Sequence, residues 1–320
     1  MTQRGTMGKA TTHRTEITTA APVPFDFAGT VYSHGWAVLE PNRWHPDRSV
    51  LTRTERLGPG RVVYVTLASA GNSEKPRVRV GVEHGGELTR QEAATIRRSV
   101  RVMLRLDEDL RPFHELCRRA GPRWREAAAG LGRLIRSPTV FEDAIKTICT
   151  TNVQWSGTKG MIQRLVQVLG EPGPLSAPAD AGLPAAFPTP EVIAAADGST
   201  LDQVRLGYRA PYIRELSERV ASGDLDLDAL REPDASTEEV RRILLDIKGV
   251  GSYAAATLLM FLGRYDYLAI DSVYRTFVTS RYFGGHAVSD SEAAGVYADW
   301  GRWKYLGFWF DLWKGLDEEV

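Results

Sequence analysis

A carboxylate carried by an apolar stretch to the start of a helix is the pattern in this sequence best suited to catalysis. Leu268-Ala-Ile270-Asp271-Ser272-Val273 has that form. A lone acid placed there can orient or deprotonate water, and its charge can stabilise a cationic centre beside it. It can also serve as an ordinary N-cap, and the two roles do not exclude each other. Upstream, Lys248-Gly249-Val250-Gly251 breaks one helical stretch from the next. A Gly-hydrophobic-Gly hairpin of this kind presents main-chain N–H groups at a helix N-terminus, a site suited to a phosphate. Contact through main chain is indifferent to sequence. Taken alone, the same triplet also fits a plain helical hairpin packed in a core.

The elements around these residues follow from periodicity. Ser236-Thr-Glu-Glu239 is a capping-box pattern, and Val240, Ile243, Leu244 and Ile247 mark the buried stripe of the helix it opens. Ala254, Ala255, Leu258, Leu259 and Leu262 form the apolar face of the second helix, with Gly263 as its C-cap. Earlier in the chain, Phe25–Tyr32, Ser49–Thr54, Arg61–Leu67 and Arg77–Val82 alternate or carry strand-forming residues, with Gly58-Pro59-Gly60 as a turn. From Thr89 the pattern is helical, with Ile96, Val100, Met103 and Leu104 inward, and it stays so to an aromatic C-terminal run. Residues 176–190 hold four prolines and read as a surface loop. The fold class is therefore α+β: a small N-terminal antiparallel sheet domain (23–105) after a disordered tail (1–22), then a mostly helical domain (106–320).

Composition sets the outer limits. The chain has 320 residues, 43 % hydrophobic and 25 % charged, and reads as soluble, monomeric and free of membrane spans. Residues 1–22 lack the apolar core of a signal peptide, so a cytoplasmic, nucleoid-associated location is expected. With two cysteines, Cys117 and Cys149, no four-cysteine cluster or zinc ribbon can form. Asp224-x-Asp226-x-Asp228 lacks the glycine and terminal glutamate of a calcium loop and reads as a solvated turn. No metal or cofactor is expected. Forty basic residues balance forty acidic ones, so any nucleic-acid surface depends on distribution. Arg118, Arg119, Arg123, Arg125, Arg133, Arg136, Arg241 and Arg242 are crowded enough to form either a solvated face or a phosphate-facing patch.

The hairpin, followed by a helix, a short loop and Asp271, resembles the helix-hairpin-helix (HhH-GPD) DNA glycosylase superfamily. Three further segments resemble its oxoguanine glycosylase branch. Ile148-Cys-Thr-Thr-Asn152, with Gly160–Leu165 after it, is similar to that branch's Asn-bearing turn. Leu206-Gly-Tyr208-Arg209-Ala210 resembles the segment whose Tyr and Arg enter the gap left by an extruded base. Trp300-Gly-Arg-Trp303 resembles the opening of the helix that closes the base pocket. The resemblance spans about residues 25–315, and the strands match the sheet domain of this branch and of the alkylpurine branch. It implies a partner, duplex DNA with a damaged base, and an enzyme that flips that base out and fills the hole. Lys248, Gly249, Val250 and Gly251 would meet the DNA backbone, with Asn152, Tyr208 and Arg209 at the hole.

Two departures from the pattern shape the expected chemistry. Bifunctional members carry a Schiff-base lysine where this chain has Tyr253, and a phenol cannot form an imine. Lys248, nearby on the hairpin, is the other candidate nucleophile, although its place suits a phosphate. The oxoguanine readers' polar amide and His fall near Phe308 and at Val273, neither of which hydrogen-bonds through its side chain. Aromatic faces suit cationic alkylated purines instead. Base-pocket candidates are thus His34, Trp36, Phe308 and Trp309. The expectation is a monofunctional, 3-methyladenine-type glycosylase with Asp271 activating water and Tyr253 beside it. The alternatives are an 8-oxoguanine-type glycosylase with lyase activity, or a non-catalytic DNA-binding protein that keeps the hairpin.

Overall fold

The computed structural model describes residues 12–173 and 184–318. Its sheet joins β1 (Thr12–Ala20), β2 (Asn42–His45), β3 (Val50–Gly58), β4 (Arg61–Gly71) and β5 (Pro76–Gly85) in the antiparallel order β1-β5-β4-β3-β2. The runs at 49–54, 61–67 and 77–82 fall in β3, β4 and β5. Val63, Val65 and Leu67 of β4 and Val78, Val80 and Val82 of β5 are buried. Gly60, at φ +68°, makes the turn that pairs Gly58 with Arg61.

Two N-terminal expectations change. Residues 12–20, assigned to the disordered tail, form β1, paired with β5 from Thr12↔Gly85 to Ala20↔Arg77. Ile17 is its buried apolar residue and Thr19 its other buried one. Long-range main-chain pairing and strand-favouring threonines, not hydrophobic alternation, hold this strand. Residues 1–11 of that tail lie outside the described residues. Phe25–Tyr32 is not a strand, because the Asp26 carboxylate accepts the Gly29 N–H at 2.8 Å and caps α1 (Phe27–Val31). Such a side-chain bond competes directly with sheet pairing. Of the proline-rich loop, residues 174–183 lie outside the described residues and 184–189 are irregular.

After the sheet, α2 (Arg90–Met103) starts at a Thr89–Glu92 capping box and buries Ile96, Val100 and Met103. Then come α3 (Arg111–Arg119), α4 (Arg125–Ala128), α5 (Val140–Thr150), α6 (Trp155–Leu169), α7 (Pro190–Ala195) and α8 (Gly198–Val204). The remaining helices are α9 (Ala210–Ala221), α10 (Thr237–Leu245), α11 (Ser252–Phe261), α12 (Ser272–Phe283), α13 (Asp290–Gly295) and α14 (Lys304–Glu318). One hydrophobic cluster runs from Ile17 through both parts to Phe310. Among the described residues no helix is long and apolar enough to cross a membrane.

The Ser236–Glu239 capping box opens α10 as expected. Its partner α11 is more deeply placed than a one-faced helix, since every residue from Ala254 to Phe261 is buried. A helix apolar all round belongs inside a core. Its last carbonyls then need internal donors. Arg105 donates to Met260 O at 2.6 Å and Arg136 to Phe261 O at 2.7 Å. Arg133 likewise donates to the Arg105 and Glu108 carbonyls. Arg118 and Arg119 pair with Glu115, and Arg123 with the buried Asp311. Arg123, Arg133 and Arg136 are therefore engaged within the fold, whereas Arg118, Arg119, Arg125 and Arg242 remain exposed.

A buried ion cluster fastens α5 to the sheet. Arg53 of β3 meets Glu142 at 2.7 Å and Glu55 at 2.5 Å, and Lys146 meets Glu142 at 2.7 Å. Burial pushes the Glu142 carboxyl up, but the charges of Arg53 and Lys146 outweigh it and hold the group at about 2, below its ordinary 4.5. Its stabilising contribution is thus complete above pH 4.5 and is lost as pH falls towards about 2. Glu142→Gln leaves Lys146 buried without its counter-charge and Arg53 with Glu55 alone, which costs about 3–5 kcal/mol. Urea unfolding at neutral pH should show that loss, and the variant's stability should fall less steeply on acidification. Wild-type stability in the variant would contradict this account.

Candidate active site

A cleft of about 1350 Å³ opens where the first turn of α11, the start of α12, one face of α14 and residues 34–36 converge. The C-terminal end of α5 and the loop to α6 complete its rim. Asp271 is the N-cap of α12, accepting the Tyr274 N–H through Oδ1 at 2.8 Å. The cap occupies one carboxylate oxygen, so the N-cap and catalytic readings are compatible in this geometry. The carboxylate lies partly exposed in the cleft wall with Tyr253 and Tyr305.

Burial first, and the Asp271 charge second, raise the Tyr253 phenol above its ordinary value. Burial, then Tyr253 and Asp271, raise Tyr305 as well. Both phenols are therefore protonated donors at neutral pH, and neither is a nucleophile. Tyr305 was missed by the sequence reading, although its i, i+4 spacing from Trp309 on α14 is a signal that both share a face.

The hairpin stands at the cleft edge. Gly249 has φ +85°, and a Cβ there would come within 2.7 Å of the Tyr212 ring. Gly251 caps α11 without any side-chain bond, leaving the first-turn N–H groups for an outside acceptor. A Cβ at Gly251 would meet nothing within 4 Å, so this main chain is approachable. Val250 is buried, so only its backbone can face a ligand. Lys248 is exposed and pairs with Glu215 at 2.5 Å.

Across the cleft, Asn152 follows α5 in a left-handed conformation (φ +48°) and lies 3.5 Å from the hydroxyl of Tyr208, which is 52 % exposed. Arg209 is not beside them in the cleft. It is buried, donates to Thr151 O, and stacks 4.4 Å from the centre of the Tyr208 ring. In this conformation it braces the Asn152 turn and the tyrosine from behind.

The inner wall is aromatic. His34 Nε2 donates to Ile135 O at 2.5 Å, and Nδ1 faces the Trp36 N–H at 3.4 Å. Burial, partly offset by the Ile135 bond, lowers its pKa to about 3, so the ring is neutral. Trp36 Nε1 donates to Asp143 at 2.9 Å and Trp309 Nε1 to Ser33 O at 2.8 Å. Both indole donors are thus satisfied by the protein. Phe261, the last residue of α11 and absent from the sequence candidates, packs its ring 4.6 Å from Trp36 and 5.1 Å from His34. Its signal was its place at the end of an all-apolar helix, which says buried but not where. Phe308 is a correction: it lies about 100° around α14 from Trp309. There it is buried against Tyr274 and Tyr297, and it does not line the cleft.

Comparison with known proteins agrees with this geometry. Residues 145–298 match the family described as HhH-GPD superfamily base excision DNA repair protein. No curated protein matches the sequence. Among solved structures, 3-methyladenine DNA glycosylase from Archaeoglobus fulgidus is similar at 21 % identity and TM-score 0.72, over 93 % of this chain and 98 % of that one. MBOgg1 in complex with a low affinity DNA ligand is similar at 20 % identity and TM-score 0.71, over 96 % and 97 %. The Clostridium acetobutylicum 8-oxoguanine glycosylase/lyase with DNA follows at 15 % and 0.69, over 93 % and 94 %. At these identities the likeness is one of fold.

Two outcomes are expected. Gly249→Ala should lower stability by about 1–3 kcal/mol, whereas Gly251→Ala should stay within about 0.5 kcal/mol; thermal denaturation of both variants checks the pair. The His34 ring proton signals should show no titration between about pH 5 and 8 by NMR, where an unperturbed histidine changes charge.

Proposed function

We propose, of a chain whose residues 145–298 match the HhH-GPD superfamily of base excision DNA repair proteins, that it hydrolyses the N-glycosidic bond of an alkylated purine flipped out of duplex DNA. The observation that carries this reading is the placement of Asp271 beside two neutral phenols, in one cleft with an uncapped hairpin and an aromatic wall. The hairpin N–H groups suit a backbone phosphate beside the lesion. Asn152 and the exposed Tyr208 stand where a side chain can fill the vacated stack.

The chemistry follows from charge. A purine alkylated on a ring nitrogen is cationic, so it leaves with the bonding electron pair as a neutral base and needs no proton. Aromatic faces attract that cation. As the C1′–N bond breaks, positive charge grows on the sugar and the Asp271 carboxylate stabilises it. Water then adds to C1′, with Asp271 orienting it and taking its proton for transfer to solvent. Tyr253 occupies the position of the lysine in lyase members, and a protonated phenol forms no imine. The donors of His34, Trp36 and Trp309 are held by Asp143 and main-chain carbonyls, which disfavours a base read through hydrogen bonds to these rings.

Single-turnover assays on duplexes with alkylated or oxidised purines test the reading. Alkylpurine sites should yield strand breaks only after hot alkali, and Asp271→Asn should slow excision by about 10²–10³-fold. Breaks without alkali, or full activity in Asp271→Asn, would sink it. Excision confined to oxidised purines would replace the substrate assignment.

A further inference from the structure

Beside the main cleft lies a second cavity of about 300 Å³, and the two share His34, Gly35, Trp155 and Trp309. The far wall of the smaller one includes Tyr32, Val38 and Leu312. Trp155, the first residue of α6, stands between them and is 40 % exposed. Its indole lies directly on the main chain of Gly35, where a Cβ would come within 2.4 Å of the ring. Any side chain at position 35 would therefore displace the indole. The other two shared rings turn their donors away, His34 to Ile135 O and Trp309 to Ser33 O. The boundary between the cavities is thus made of ring faces and a glycine, with no ion pair or hydrogen bond between His34, Trp155 and Trp309 to open.

We propose that the smaller cavity is a substituent subsite, which takes the aralkyl group of a purine held in the main cleft when Trp155 swings off Gly35. The proposal rests on the alkylpurine reading above and narrows the substrate class within it. A methyl group needs no second space. A benzyl group does, and gains by leaving water for an apolar pocket and by packing against aromatic faces. The occupant follows from continuity: the two cavities share four lining residues, so a group on a base already in the cleft reaches this space once the indole moves, although its far rim at Tyr32 and Val38 is exposed.

Calorimetric titration of the whole chain with free 3-benzyladenine and 3-methyladenine reads the subsite directly. The benzyl base should bind at least about tenfold more tightly. Val38 lines only the side cavity, from its exposed rim. Val38→Trp, or the smaller Val38→Phe, should fill it and bring the two affinities together while methyl binding is kept. Equal affinities in the wild type overturn the proposal, as does a benzyl preference that survives in a folded Val38 variant. Failure of the underlying reading looks different: no release of 3-methyladenine from duplex DNA, with the benzyl preference retained.

Discussion

The burial of α11 is the constraint on which the site depends. A helix that is apolar on all sides must be wrapped completely, and the wrapping fixes both of its ends. Its C-terminal carbonyls are met by Arg105 and Arg136, so that end cannot fray into solvent. Its N-terminus, with no capping side chain, is the part left open to the cleft. Tyr253 and Phe261 therefore reach one cavity from opposite ends of a single rigid rod. Asp271 enters from the next helix, its direction set by the bond to the Tyr274 N–H.

The sheet acts at a distance. It contributes no residue to the cleft, yet Arg53 of β3 grips Glu142 of α5, and the far end of α5 carries Thr150, Thr151 and Asn152 into the rim. Arg209 then holds the Thr151 carbonyl, which supports the left-handed turn at Asn152. The surface facing a duplex would thus be assembled from segments far apart in sequence, and two of them, the end of α5 and the Tyr208 segment, are fixed by a buried charge with named partners. Buried ions cost too much desolvation to be left unpaired, so these contacts are specific in geometry.

Neutral overall charge and a cleft with few cations fit the same scheme. Main-chain N–H groups need no lysine to meet a phosphate, and an acid near the sugar is better served where surrounding cations do not neutralise it. Under the proposed reading, the aromatic wall, with the Trp36 and Trp309 donors held by the protein, would select by shape and π-face more than by hydrogen-bond pattern.

The hairpin, its two helices and the capping box at Ser236 were legible in the sequence, because each is set by neighbours within a few residues. Asp271 and Tyr253 were legible for the same reason, through their spacing from the hairpin. The strand at Thr12–Ala20 was not, since its partner β5 comes last of the five strands in sequence and its own apolar content is slight. Nor could the sequence separate Trp309 from Phe308, adjacent aromatics that helical geometry sends to cleft and core. Arg209 read as a residue at the base hole, and Arg136 as part of a solvated or phosphate-facing run, until the fold supplied the carbonyls that they bind. Local chemistry and periodicity, then, determined which residues could act. Tertiary packing alone decided which of them meet, because that choice rests on contacts between segments that share no sequence neighbourhood.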